Sequence, residues 1–253
     1  MAIPIKSQKE IEAMRKGGQI LAEVLDEVLK NAKIGISTWE LDRIAEKLIL
    51  EKGGKPGFKG YQGFPATLCT CTNEEIVHGI PQKDKILKDG DLLTIDCGNI
   101  FEGLYTDAAR SIQIGQKTPE TTRLIKTGKK ALKRAFKIAQ AGIKLQEISK
   151  IIQKTIEKAG YHVIFDLTGH GVGKKLHEAP VIPNFVDKRS PNPILEPGMT
   201  LAIEPIFAVG TSKMRTLKDD WTIVTIDNSL AAQVEETILI TQNGNEILTK
   251  GNF

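Results

Sequence analysis

The second half of this chain repeats its first, and that repetition sets the symmetry of any fold it adopts. Gly35-Ile36, Glu40-Leu41, Ile44 and Gly53 match Gly142-Ile143, Glu147-Ile148, Ile151 and Gly160, displaced by 107 positions (142 − 35). His78-Gly79-Ile80-Pro81 recurs as His177-Glu178-Ala179-Pro180, displaced by 99 (177 − 78). Gly90-Asp91-Leu92-Leu93-Thr94-Ile95-Asp96 parallels Gly198-Met199-Thr200-Leu201-Ala202-Ile203-Glu204, displaced by 108 (204 − 96). Three matches in one order point to a duplicated unit. Each copy reads helix, helix, a histidine ahead of a proline, then a strand ending in a carboxylate. A pseudo-twofold axis between such copies brings two histidines and two carboxylates together across the seam.

Local signals give the elements of each copy. Ser7-Gln8-Lys9-Glu10 and Ser37-Thr38-Trp39-Glu40 have the form of capping boxes, each ahead of apolar residues at helical spacing. Thr118-Pro119 reads as an N-cap with proline in the first turn, opening a basic helix to about Ala141. Lys55 to Pro65 is an aromatic loop rich in glycine. Asp91 to Ile114 alternates apolar and polar residues around Phe101-Glu102-Gly103, the pattern of a β-hairpin.

A turn centred between Phe101 and Glu102 sets Asp96 directly opposite Asp107, where two like charges destabilise unless a cation lies between them. A turn shifted by Gly103 makes the pair diagonal. Glu204 ends the apolar strand Leu201-Ala202-Ile203, and Glu235 lies within the β-like run Ala232 to Ile240. Carboxylates in buried strands must be hydrogen-bonded or bind metal. His170 sits in Gly169-His170-Gly171-Val172-Gly173, where glycines let backbone and ligand come close to an imidazole. Several acids with one imidazole suit a pair of divalent first-row metals that activate water.

His78 and His177 occupy equivalent positions and are candidates to hydrogen-bond a substrate amide. His162, near the start of the apolar stretch Tyr161 to Phe165, reads as structural or exposed. No H-E-x-x-H, Walker loop or Gly-x-Ser-x-Gly elbow occurs. A net charge of +4 excludes a strongly basic nucleic-acid arm, and Lys126 to Lys137 reads as the solvated face of a helix. Three cysteines, an odd number without metal-site spacing, and no apolar stretch of signal or membrane length imply a soluble protein in the reducing cytoplasm.

These residues together resemble the type I methionine aminopeptidases over nearly the whole length. The matching motifs are Asn73-Glu74-Glu75-Ile76-Val77-His78-Gly79-Ile80-Pro81, Asp96 with Asp107, and Thr168-Gly169-His170-Gly171-Val172-Gly173. His177-Glu178-Ala179-Pro180, Ile203-Glu204-Pro205 and Ala232-Gln233-Val234-Glu235 complete the set. The resemblance implies an α+β pita-bread fold, a pseudo-twofold duplicated unit with a central curved antiparallel sheet flanked by helices. It implies one catalytic domain over 1–253, with pseudo-repeats at approximately 7–115 and 116–250.

The same resemblance implies that Asp96, Asp107, His170, Glu204 and Glu235 hold two divalent metal ions, cobalt, manganese, iron or zinc. Asp107 and Glu235 bridge both ions, Asp96 serves one, and His170 with Glu204 serves the other. The implied reaction removes the initiator methionine from nascent proteins when the second residue is small. Glu204 then passes a proton to the leaving amine, His177 stabilises the carbonyl oxygen, and His78 contacts the peptide nitrogen after the methionine. The implied methionine pocket is Phe58, Tyr61, Phe64, Cys69, Leu176 and Trp221, a lining suited to a thioether.

Leu176 stands where the family often has an aromatic residue, and Glu236 follows Glu235 where histidine is frequent. The chain matches the short bacterial form, and its Met1-Ala2 start has the small second residue such enzymes accept. Expected partners are nascent peptides and, transiently, the ribosome, with no membrane, no specific nucleic acid and a monomeric state. Weighed beside this are a proline-specific relative of the same fold and a non-catalytic peptide-binding protein.

Overall fold

A computed structural model describes residues 2–252; Met1, and with it the Met1-Ala2 bond, lies outside the described residues. Helices α1 (Gln8–Asn31), α2 (Thr38–Glu51) and α3 (Pro119–Phe136) start where the capping signals place them, and α4 (Gln146–Lys158) completes the helical set. At α1 the Ser7 hydroxyl accepts from the Glu10 amide while Glu10 accepts from the Ser7 amide, and Ser37 and Glu40 do the same at α2. These reciprocal bonds satisfy amides that the first helical turn leaves without partners.

The first half carries strands β1 (Lys55–Pro56), β2 (Leu68–Thr72), β3 (Glu75–Val77), β4 (Leu92–Phe101) and β5 (Leu104–Gln113). The second carries β6 (His162–Val163), β7 (Thr168–Gly171), β8 (Glu178–Pro183), β9 (Thr200–Ile203) and β10 (Ile206–Ala208). It continues with β11 (Met214–Thr216), β12 (Ile223–Thr225), β13 (Ala231–Gln233), β14 (Glu236–Thr241) and β15 (Gly244–Ile247). Every strand pair is antiparallel. Leu21, Leu25, Leu41 and Ile49 of α1 and α2 share a buried cluster with Leu68, Leu93 and Ile95 of β2 and β4. Leu124, Ala131, Ile148 and Ile152 of α3 and α4 share another with Leu201, Ile203, Ile238 and Ile240 of β9 and β14.

The same backbone connections occur twice. Gly35 donates to the Leu87 carbonyl and Leu87 to Ile36; Gly142 donates to Leu195 and Leu195 to Ile143. An isolated bridge joins Ser37 to Ile86, and another joins Lys144 to Ile194. No helix among the described residues is long and apolar enough to cross a membrane.

Three local expectations are corrected. The hairpin turns at Glu102 and Gly103, both with positive φ, so Phe101 pairs with Leu104 and Asp107 stands opposite Gly98 rather than Asp96. Asp96 and Asp107 are therefore diagonal neighbours on one face. Helix α3 ends at Phe136, five residues before Ala141, because the Asn245 side-chain amide takes the carbonyls of Phe136 and Ala139 at 2.6 and 2.9 Å. Those carbonyls are then not available to a further helical turn.

The run Ala232 to Ile240 is not one strand. β13 pairs with β10, β14 pairs with β9, and between them Glu235 exchanges backbone hydrogen bonds with Ala109 of β5. The pairs Ile203↔Glu236 and Ile206↔Gln233 lie on one register, which puts Glu204 directly opposite Glu235 at the break. The head-on carboxylate pair expected in the hairpin is found here instead.

Candidate active site

Each acid is positioned by the strand that carries it, two of them at the break where β9 and β13 end. Asp96 lies mid-strand on β4, across from Cys69 of β2. Asp107 lies on β5, its amide held by the Thr237 hydroxyl at 2.9 Å and its carbonyl accepting from the same hydroxyl at 2.8 Å. Pro205 cannot donate to a ladder, so β9 stops at Ile203 and Glu204 occupies the gap. Arg110, buried beneath, donates to the Glu235 carbonyl at 2.6 Å and to the Glu236 carboxylate at 2.9 Å. Glu236 is thus engaged with Arg110 and the Thr249 hydroxyl.

His170 reaches the same point from β7. Its Nδ1–H donates to the Gly171 carbonyl at 2.9 Å, which leaves Nε2 with a free lone pair 3.5 Å from Glu204 and 3.9 Å from Asp107. Ligand atoms of Asp107, His170 and Glu235 all lie within 4.8 Å of one another. Gln233, two residues before Glu235, donates to Glu204 at 3.1 Å and to Glu235 at 3.4 Å.

The electrostatics of this cluster call for a cation. Burial raises the Asp96 carboxyl to about 7. Burial, then the charges of Glu235 and Asp96, push Asp107 well above the carboxylate range. Glu204 is raised by burial and by Asp96 and Asp107, and Glu235 by burial and by Glu204 and Asp96. One buried oxygen of each of Asp96, Asp107 and Glu235 has no hydrogen-bond partner. Burial, with the neighbouring His177, pushes the His170 imidazole down to about 3, so it is a neutral donor of its lone pair. Carboxylate oxygens without partners beside a neutral imidazole form a donor set for divalent cations.

A cavity of about 1010 Å³ opens over this cluster. All the metal-ligand candidates line it, as do His78, His177, Phe58, Tyr61, Phe64, Cys69, Leu176 and Trp221. Phe58, Phe64, Cys69 and Leu176 form one buried apolar cluster, with Tyr61 and Trp221 packed against it. Phe58 fits because Gly98, opposite Asp107, has no side chain; a Cβ there would come within 2.7 Å of the phenyl ring. The Tyr61 hydroxyl is 2.8 Å from His177 Nδ1, and the His177 ring lies 4.4 Å from that of His170. His78 has φ of 59, a conformation uncommon for a residue with a side chain, and its ring meets Trp221 edge-on. Burial holds both His78 and His177 below the ordinary imidazole range. His162 is exposed and stands apart on β6.

Sequence reasoning brought in none of Gln233, Lys6 or the leading segment as part of the site. Gln233 had a signal, a polar residue in an apolar strand on the same face as Glu235. Residues 2–6 had none, yet they line the cavity, and Lys6 forms a buried ion pair with Glu178 at 2.5 Å.

Comparison with known proteins agrees with this geometry. Residues 12–242 match the model of metallopeptidase family M24. A methionine aminopeptidase of Clostridium acetobutylicum is 47% identical over 247 residues, 98% of each chain. The crystal structure of a methionine aminopeptidase from Thermotoga maritima superposes with a TM-score of 0.96 at 42% identity, covering 98% of this chain and all of that one. A prolidase from Pyrococcus horikoshii shares the architecture at TM-score 0.80 and 26% identity, covering 98% of this chain but 64% of the prolidase. The fold is the pita-bread fold. The chain belongs to metallopeptidase family M24, in its methionine aminopeptidase group.

Proposed function

We propose that this chain hydrolyses the first peptide bond of nascent proteins, releasing the initiator methionine when the second residue is small. The observation that carries the reading is the direct opening of the apolar pocket of Phe58, Phe64, Cys69, Leu176 and Trp221 onto the carboxylate–imidazole cluster. An unbranched thioether side chain fills such a pocket by dispersion and sulfur–aromatic contact. Its α-carbon then stands at the acids.

Asp96, Asp107, His170, Glu204 and Glu235 would hold two divalent ions. The unpartnered oxygens support this set, and manganese, iron, cobalt and zinc all suit it. When bound, such ions supply Lewis acidity and a water that is nucleophilic near neutral pH. Gln233 holds one oxygen of Glu204 and of Glu235, leaving the other oxygen of each free to act. Glu204 moves the proton from the attacking water to the departing amine. His177, neutral and with Nδ1 engaged by Tyr61, presents an Nε2–H to the carbonyl oxygen as negative charge develops. His78 contacts the amide nitrogen that becomes the new N-terminus.

The reading extends to a monomeric cytoplasmic enzyme that meets its substrates at the ribosome. Three buried free cysteines support a reducing compartment. It also takes the chain as a single catalytic domain of two pseudo-repeats, supported by the paired Gly35/Leu87 and Gly142/Leu195 connections.

The test strips the purified protein of metal and measures methionine release from Met-Ala-Ser, with and without Mn(II), Co(II), Fe(II) or Zn(II). Restored release is expected with at least one ion. Under that ion Glu204→Gln should lower turnover about 10²- to 10⁴-fold, the range of general acid–base catalysis. Folded protein that releases nothing with any ion overturns the reading; so does full activity of Glu204→Gln.

A further inference from the structure

The cavity extends beyond the metal-ligand cluster. From His170 it runs along Ala179, Pro180 and Val181 of β8 and is also lined by residues 2–5. The Lys6–Glu178 ion pair fastens that leading segment to the first residue of β8. Two large apolar side chains are left in water here, Val181 at 53% exposure and Ile5 at 49%. Both line the cavity.

β8 is the outermost strand of its five-stranded sheet, and hydrogen-bond alternation identifies what its free edge offers. Ile240 donates to Met199 and Val172 donates to Thr200, so residue 199 faces β14 and residue 200 faces β7. Two positions on, Ala202 and its partner His170 likewise face each other across the β7–β9 ladder. Gly169 therefore bonds to β8 at Ile182. Val181, opposite His170, turns its N–H and C=O away from β7. Neither group has another hydrogen-bond partner among the described residues. Pro180 and Pro183 have no N–H to offer. Val181 thus presents a free donor and acceptor on this edge, beside the candidate active site.

We propose that β8 docks the substrate chain downstream of its methionine. An extended peptide lies beside β8, one of its residues exchanging both backbone hydrogen bonds with Val181, while Ile3 to Ile5 pack against its side chains. The proposal rests on the aminopeptidase reading above. An enzyme that must accept many downstream sequences gains from backbone pairing, which reads no side chain. The prolines at 180 and 183 remove donors from this edge and discourage it from recruiting other strands.

The experiment uses metal-loaded enzyme and the series Met-Ala, Met-Ala-Ser, Met-Ala-Ser-Gly and Met-Ala-Ser-Gly-Ser, each longer member also made with a single downstream amide replaced by an ester. The proposal expects kcat/KM to rise with length, then level off. One particular ester, at the residue paired with Val181, should lose about threefold to tenfold, the worth of one hydrogen bond. The ratio of long- to short-peptide kcat/KM should collapse in Val181→Pro and persist in Val181→Ala, which keeps the backbone donor.

Cleavage of Met-Ala with no length dependence, or length dependence that no ester reduces, overturns the docking edge and leaves the aminopeptidase reading intact. Loss of the ratio in Val181→Ala without an ester effect assigns the gain to side-chain contact and overturns backbone pairing. Failure to cleave any peptide of the series overturns the aminopeptidase reading itself.

Discussion

At His177 the imidazole has two nitrogens, and the Tyr61 hydroxyl occupies one of them, Nδ1, at 2.8 Å. Burial keeps the ring neutral, so one nitrogen carries a proton and the other a lone pair. A hydroxyl that donates to Nδ1 fixes the proton on Nε2, the atom free to meet substrate. Tyr61→Phe retains the aromatic wall and removes that donor. Its kcat for Met-Ala-Ser should fall about tenfold, equivalent to ~1.4 kcal/mol of transition-state stabilisation, with KM changed less. An unchanged kcat would show that the tautomer is set by something else. Family resemblance implied Tyr61 as a pocket residue, but nothing in its glycine-rich aromatic loop marked it as a partner of His177, which is 116 residues away. Gln233 carried a signal, a polar residue among apolar neighbours two positions before Glu235, but its reach to Glu204 depends on the pairing of β13 with β10.

At the scale of elements, α2 does more than cover a sheet. Asp42, buried on that helix, accepts from the amides of Thr67 and Leu68 at 2.8 and 2.9 Å and so fixes the start of β2, immediately before Cys69. Asp42→Ala leaves two amides without their partner, and the stability loss should be at least about 2 kcal/mol, read from denaturant midpoints at constant slope. A loss below about 0.5 kcal/mol would mean that water or relaxed backbone replaces the carboxylate.

Helix starts were readable because a cap is local, four residues long and chemically distinctive, as at Ser7 and Ser37. The end of α3 was not, since Asn245 arrives from more than a hundred residues away. Hairpin existence was legible in the alternation of Asp91 to Ile114, whereas its register hung on whether Glu102 accepts a positive φ. The opposition of Glu204 and Glu235 depends on strands changing sheet, which no periodicity in either strand announces.

Taken as a whole molecule, the chain gathers four raised carboxylates in one buried place. Their folded-state pKa values lie above those of the unfolded chain. Between the unfolded range near 4 and the raised folded values, metal-free native protein binds more protons than unfolded protein, so its stability falls as pH rises. Bound divalent cations compensate the charge and stabilise the native state by mass action. The midpoint of thermal unfolding of chelator-stripped protein should therefore drop between pH 5 and pH 8, and added Mn(II) should restore most at the alkaline end. A stripped protein whose midpoint rises over this window would contradict the charge assignment. Helix α3, with Lys126, Lys130 and Lys133 exposed, stands on the opposite footing of charges left in solvent.

The leading segment has a practical corollary. Lys6 is tied to Glu178 and residues 2–5 line the cavity, so an affinity tag fused through this segment is attached beside the candidate active site. An affinity tag placed there is a tethered peptide, present at an effective concentration near the millimolar range for a short flexible linker, whatever the enzyme's dilution. Where such a tag reaches the cavity, its competition with added substrate does not fall on dilution. The other end is anchored elsewhere, with Asn252 bound to Asp26 of α1, so a tag at the carboxyl terminus leaves the kinetics of the free enzyme measurable.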